Sequence, residues 1–356
     1  LFVNTAFASQ PPQIDSETKI CKQVLHTGGI RADFQGYNAI AFAMEFEDHT
    51  IYNVIEQIVS HLPKSINRMI VGPHESIKTP LFSRSGSVIH LHNSNHFWTR
   101  DYFPELVYDT NGSPLYFVAF EYHHRSSNRL DRVVIFKELA NQFRVPVIRS
   151  NLWLEGGNIL SDGNGTLFIT DKALRSNLIT KRFESRTQIE EELLKVLKMR
   201  RIIWLPTMFD DATGHVDTFM MPLSSQKILL AEYPKGSNPY RVTTKIAEIL
   251  SDAGYEVVRI KTPRRFRHDY HSFESLSYTN VIFLGNRVLV PQYHFHQVES
   301  VNLKNYDRQA LQTWKQLGYD AIPVDARKMI DTCGSLHCLT KTYELPNQHF
   351  PPSEAP

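Results

Sequence analysis

The 356-residue chain is 42% hydrophobic, 21% charged and 11% aromatic, a balance that suits a globular protein with a sizeable core and does not suit a disordered one. Its formal net charge is +2 with both signs interspersed, so it lacks the broad basic footprint of a nucleic-acid or anionic-membrane binder. No apolar run in the sequence reaches the roughly 18 residues needed to cross a bilayer.

The chain opens Leu1-Phe2-Val3-Asn4-Thr5-Ala6-Phe7-Ala8 and turns polar at Ser9. Ala6-Phe7-Ala8 has the small-residue spacing of a signal-peptidase site, so residues 1–8 read as the remnant of a secretory signal and predict a secreted or periplasmic protein. A frayed terminus is the alternative. Residues 9–34 read as an N-terminal extension, 35–345 as one continuous domain and 346–356 as a tail. Of three cysteines, Cys21, Cys333 and Cys338, the first two are candidates to pair in an exported protein, which leaves Cys338 as a thiol.

Within the domain, Asn38–Met44 reads as a buried strand, and the apolar positions Ile51, Val54, Ile55, Ile58, Val59 and Leu62 follow a helical period over Thr50–Leu62. Strand patterns return at Asn67–Val71, Ser87–His92 and Leu115–Phe120, with a loop around Trp98–Asp101. A helix is expected over Asp131–Phe143. Leu152–Leu160 and Thr166–Thr170 flank Asp162-Gly163-Asn164-Gly165 and predict a hairpin. Further helices are expected over Thr187–Met199, Tyr240–Ala253 and Tyr306–Leu317, each followed by a strand; Tyr278–Leu284 and Arg287–Pro291 form a hairpin about Gly285-Asn286. About five strand-plus-helix units succeed one another with no Pro/Ser-rich linker, so a single α/β domain is expected. Arg264, Arg265, Arg267 and His268 make the one local basic cluster, read as a solvated loop or an anion contact.

Several short segments carry chemistry. Asp101 stands beside Trp98 in Trp98-Thr99-Arg100-Asp101, where a turn or ion-pair aspartate competes with a functional one. Gly214-His215-Val216-Asp217 sets His and Asp two residues apart, on one face if the segment is a strand. A zinc site would need more ligands at recognisable spacing than this chain offers. Leu154-Glu155-Gly156-Gly157-Asn158 joins a carboxylate to two glycines and reads equally as a plain hairpin turn. Gly334-Ser335-Leu336-His337-Cys338 supplies a thiol whose neighbour His337 points away from it if the backbone is extended, which makes His215 the better acid/base partner. Carboxylates, one histidine and one thiol suit a guanidinium: carboxylates match its paired N–H donors, and a thiolate is nucleophile enough for its resonance-stabilised carbon.

In order, Trp98-Thr99-Arg100-Asp101, Leu154-Glu155-Gly156-Gly157-Asn158, Gly214-His215-Val216-Asp217, Ser277-Tyr278-Thr279-Asn280 and Leu336-His337-Cys338-Leu339-Thr340 resemble the motifs of the bacterial peptidyl-arginine deiminase and agmatine deiminase family. The resemblance covers residues 35 to 345 or so. It implies the pentein fold, a five-bladed, pseudo-symmetric α/β propeller, and hydrolytic deimination of a guanidinium through a covalent thiouronium, without a cofactor or metal. It also implies Cys338 as nucleophile, His215 as general acid/base, Asp101 and Asp217 as guanidinium clamps, Trp98 as a wall for the substrate stem and Asn280 as support.

For substrate, the Gly-Trp-rich stretch typical of agmatine deiminases is missing from Phe120–Arg129. Arg125 instead sits where peptidyl-arginine deiminases bind the carboxylate of a C-terminal arginine, although Ser127 stands where their second arginine falls. The expected partner is therefore an arginine-containing peptide or an arginine-like small molecule, with agmatine as the alternative. A guanidino-group transferase or a non-catalytic guanidine binder is the second alternative.

Overall fold

The computed structural model describes residues 28–43, 49–72, 88–91, 97–122, 129–208, 211, 213–263, 276–294, 302–332 and 334–346. The expected signal remnant, Cys21, Arg125, Cys333 and the basic cluster at 264–268 lie outside them.

One strand-strand-helix-strand unit recurs through these residues. Met220–Pro222 pairs antiparallel with Lys227–Glu232, the helix Asn238–Asp252 crosses over, and Glu256–Lys261 returns parallel to Lys227–Glu232. Ile282–Leu284, Arg287–Gln292, the helix Leu303–Gln316 and Asp320–Asp325 repeat the pattern. So do Glu105–Tyr108, Pro114–Glu121, Arg129–Phe143 and Val147–Trp153, and likewise Leu160–Ser161, Thr166–Thr170, the helices Asp171–Ile179 and Arg186–Leu197, and Arg201–Leu205. The parallel return needs a crossover of a dozen or more residues, and the helix supplies it while covering the sheet.

The fifth unit joins the two ends of the chain. Ala39–Ala43, the helix His49–His61 and Asn67–Val71 supply three of its elements, and the antiparallel first strand is Lys341–Tyr343 from the far end of the sequence. Five sheets in a chain closed on itself by that pairing form the α/β arrangement the resemblance implies. Closure also carries Leu336–Thr340, immediately before Lys341, against the sheet that holds Ala39–Ala43: the Thr99 hydroxyl donates to Leu339 O at 2.7 Å and lies 3.4 Å from Ala41 O.

Amphipathic stripes explain why the helices are legible. Ile51, Val54, Ile55, Ile58, Val59 and Leu62 are all buried, one face of a 3.6-residue period. Asp171–Ile179 is a helix the sequence does not announce, since it buries only Ala173 and Asn177 and leaves no apolar stripe to read. Three local expectations are corrected. Leu152 and Trp153 belong to the preceding sheet, paired with the strand ending at Glu121, so the expected hairpin shrinks to Leu160–Ser161 against Thr166–Thr170; the 3-10 turn Gly156–Asn158 breaks the longer arm. Trp98–Asp101 is not a loop, because Thr99–Tyr102 forms one helical turn. Finally, Gly29–Ile30 pairs with Val107 and Tyr108, so the folded body begins before residue 35 and the extension expected over 9–34 is at least partly built into it. Among the described residues no helix is long and apolar enough to cross a membrane.

Candidate active site

Each motif ends in a tight turn, and the turns meet. Thr99–Tyr102 places Asp101, Gly156–Asn158 follows Glu155, Val216–Thr218 holds Asp217 with His215 at its N-cap, and Leu336–Leu339 turns around Cys338. His215 and Asp217 therefore do not share a strand face, as their spacing suggests. They converge because Gly214 adopts φ +63°, a conformation L side chains seldom take, before the turn, and the Thr218 hydroxyl donates to His215 O at 2.8 Å to fix it.

The histidine stands between two carboxylates. His215 Nε2 lies 2.6 Å from Glu155 Oε2, and Nδ1 lies 3.5 Å from Asp101 Oδ1. Burial favours the neutral ring, but Asp101 and Glu155 outweigh it and carry the His215 pKa up to about 9, so the ring is an imidazolium at neutral pH. Burial lifts Asp101 to about 6 despite that imidazolium. Glu155 is driven below the ordinary carboxylate range, because its hydrogen bond to His215 and the Lys172 ammonium 3.4 Å away outweigh its burial. In the sequence Glu155 reads equally as part of a hairpin turn; the glycines after it are the signal that marks it. A Cβ at 156 would strike Arg100 O, and one at 157 would strike the His215 ring and stand 2.9 Å from Asp101 Oδ1. With hydrogen there instead, the Gly157 N–H donates to Asp101 Oδ1 at 3.1 Å.

On the other flank sits the thiol. Cys338, a free cysteine, is buried; its Sγ accepts from Asn280 Nδ2 at 3.2 Å and lies 3.7 Å from Asp217 Oδ2. Asn280 Oδ1 accepts from the backbone N–H groups of His337 and Cys338, at 2.9 and 3.3 Å. The Asn280 amide thus ties the Cys338 turn to Asp217, whose backbone O also accepts from Nδ2 at 3.4 Å. Burial, then the Asp217 and Asp101 charges, push the Cys338 thiol well above its usual range.

Asp217 is fully buried, and Oδ2 accepts from His337 Nδ1 at 2.8 Å while Oδ1 has no hydrogen-bond partner among the described residues. His337, expected to be structural, is held at both ring nitrogens, since Nε2 lies 3.1 Å from Asp33 Oδ1. The Trp98 indole lies so close to Gly334 that a Cβ there would collide with it. The structure thus brings together Asp101, His215, Asp217, Asn280 and Cys338, adds Glu155 and Asp33, and leaves Trp98 beside them. Among the described residues no group of three or more His, Cys, Asp or Glu has the arrangement of a metal site.

Chemically, the cluster offers a sulfur able to act as a nucleophile, a protonated histidine able to give a proton to a leaving amine, and buried carboxylate oxygens able to pair with a cation.

Comparison with known proteins agrees with this geometry. The family described as Porphyromonas-type peptidyl-arginine deiminase matches residues 40–344. A Vibrio parahaemolyticus protein provisionally named agmatine deiminase is 25% identical over 280 residues, which is 69% of this chain and 75% of that one. The agmatine deiminase of Medicago truncatula is 23% identical over 239 residues, 58% of this chain and 61% of its own length. Among solved structures, a C. jejuni agmatine deiminase with one cysteine changed to serine and substrate bound superposes with a TM-score of 0.74 at 19% identity, covering 89% of this chain and 96% of that one. At that identity the superposition establishes the shared fold.

Proposed function

The chain belongs to the Porphyromonas-type peptidyl-arginine deiminase family, and from that premise we propose that it hydrolyses a guanidinium group to a ureido group and ammonia, with Cys338 as nucleophile. The observation that carries the reading is Asp217 Oδ1, a buried carboxylate oxygen with no partner among the described residues, whose twin Oδ2 lies 3.7 Å from the thiol. Leaving such an oxygen unsatisfied costs about 1–3 kcal/mol or more, and a guanidinium N–H placed there satisfies it. Asp101 provides the second clamp and Trp98 a flat wall for the substrate stem. Asn280 orients the thiol and its turn.

Charge orders the steps. In the empty site Asp217 and Asp101 hold the thiol neutral. A bound guanidinium offsets both carboxylates, so the sulfur gives up its proton to solvent water in the complex and attacks the guanidinium carbon, forming a C–S bond as the C=N π pair moves onto nitrogen. The tetrahedral adduct expels one nitrogen as ammonia, taking its proton from the His215 imidazolium that Glu155 steadies. A thiouronium then joins the substrate to Cys338. His215, now neutral, takes a proton from water; the hydroxide adds to the same carbon, the C–S bond breaks, and the ureido product leaves with the thiol restored. The net change is one water consumed and one ammonia released.

For substrate, an arginine side chain, free or in a peptide, is the first reading. It rests on the missing Gly-Trp stretch and on Arg125, and an exported protein, as residues 1–8 lead one to expect, would meet peptides. Agmatine is the second, favoured by the names of the relatives above. A colorimetric ureido assay over agmatine, free arginine, and peptides with terminal or internal arginine separates them. The expected outcome is colour with at least one, strongest for peptidyl or free arginine; a blank result with all of them sinks the deiminase reading.

A further inference from the structure

The site's charges do not end at Asp217. Behind it, His337 places one ring nitrogen 2.8 Å from Asp217 Oδ2 and the other 3.1 Å from Asp33 Oδ1, and the Arg100 guanidinium stands 3.2 Å from that same Asp33 oxygen. Arg100, Asp33, His337 and Asp217 therefore form a line of alternating charge that ends at the position assigned to the substrate. Both ring nitrogens of His337 face carboxylates, so both carry protons when the two aspartates are ionised. We propose that Asp33 is a positioning residue for this site: its hydrogen bond fixes the His337 ring, and the ring in turn holds the Asp217 carboxylate in place for a guanidinium. This rests on the deiminase reading above and extends it to a residue outside the five motifs and outside the 40–344 family match.

Consider the alternative without Asp33. Asp217 has no exposed surface, and a buried carboxylate facing a buried imidazole is an unfavourable place to separate charge. The ring would also lose the acceptor on its far side, so nothing would fix the Nδ1–H that Asp217 Oδ2 accepts. Asp33 supplies both, since a second anion on the far side orients the ring and favours the imidazolium. The shifts agree in direction: burial and Arg100 oppose protonation of His337, yet Asp33 and Asp217 raise its pKa. Asp33, in turn, is pulled well below the carboxylate range because Arg100, His337 and Lys341 together outweigh its burial.

The other groups facing this line are accounted for. Lys341 lies near Asp33 but is paired with Glu105, and Tyr37 is held neutral by burial and by the Asp33 charge. Asp101, His215 and Glu155 face Asp217 and Cys338 from the substrate side.

The role has a charge signature that a purely structural aspartate lacks. Binding of n-butylguanidine to the full chain is measured by calorimetry at pH 7.5 in a Cys338→Ala background, where chemistry is silent, with and without Asp33→Asn, and unfolding midpoints are measured beside it. Asparagine preserves shape and hydrogen bonding but removes the charge. We expect Asp33→Asn to weaken binding about tenfold, the difference between a charge-assisted and a neutral hydrogen bond to the ring, and Asp33→Glu to recover part of the loss. If Asp33→Asn proves unstable, His337→Gln keeps a donor for Asp217 without a charge and should show the same loss. Unchanged binding in these variants, or no recovery with Asp33→Glu, overturns the proposal. If the Asp33-containing parent binds no guanidine, the deiminase reading fails first and takes the relay with it.

Discussion

Two buried clusters of charge flank His337, and they are finished differently. On one side Arg100 is paired with Asp33, and Lys341 with Glu105, each charge closed by an opposite one. On the other, Asp101, Glu155, His215, Asp217 and Cys338 crowd together; Lys172 reaches Glu155 and His337 reaches Asp217 Oδ2, but among the described residues Asp217 Oδ1 meets no partner. Both lie within a well-packed interior, so burial does not tell them apart. Completeness does. A buried charge that is paired and hydrogen-bonded holds the fold in register, whereas an incomplete one is costly to keep and implies a missing cation.

If that contrast is right, substitutions in the open cluster should act on turnover and those at Lys341 and Glu105 on stability, while Asp33, which contacts both Arg100 and His337, stands at the boundary between them. The largest loss belongs to Cys338→Ser. It should reduce kcat by at least about ten-thousandfold, with an unchanged unfolding midpoint, and retained turnover would show that the sulfur is not the nucleophile. Next comes Glu155→Gln, which removes the carboxylate 2.6 Å from His215 and should cost about a hundredfold in kcat. Its pH profile carries the sign. Losing Glu155 lowers the His215 pKa from about 9, so the alkaline fall in activity, set by loss of the imidazolium proton, should move to lower pH. An alkaline limb left in place would mean that some other group donates to the departing ammonia.

The two clusters are unequally legible in the sequence. Asp101, His215, Asp217, Asn280 and Cys338 sit in short motifs whose order is specific, and the helices around them betray themselves by apolar stripes such as Ile51 to Leu62. Glu155 has a visible signal, two glycines that let backbone approach side chain, but a turn explains such a pair equally well. Asp33 has none. Its segment, Ala32-Asp33-Phe34-Gln35, has no periodicity and no partner nearby in sequence; its contacts come from residues 67 and 304 positions away. Local pattern reports what a residue must do for its own element, and a charge buried by distant elements leaves no trace there. The same limit explains why the Glu155 segment reads as a hairpin arm, since only tertiary pairing assigns Trp153 to the preceding sheet.

The smallest effect on turnover is expected from the closed cluster, and it tests the contrast from the other side. Lys341 begins the strand that closes the chain on Ala39–Ala43, and its ammonium is buried against Glu105. Lys341→Met removes one partner and leaves the other carboxylate without its cation, which should cost about 3–5 kcal/mol of stability in urea unfolding. Replacing Glu105 and Lys341 together with apolar residues of similar volume should recover most of that, because no uncompensated charge remains. In both variants Arg100 still holds Asp33, so kcat/KM per folded molecule should stay within about twofold of the parent. A large loss of turnover in the stable double variant would mean that the two clusters work as one. The boundary at His337 would then have to move outward to include Glu105 and Lys341 in the machinery that positions Asp217.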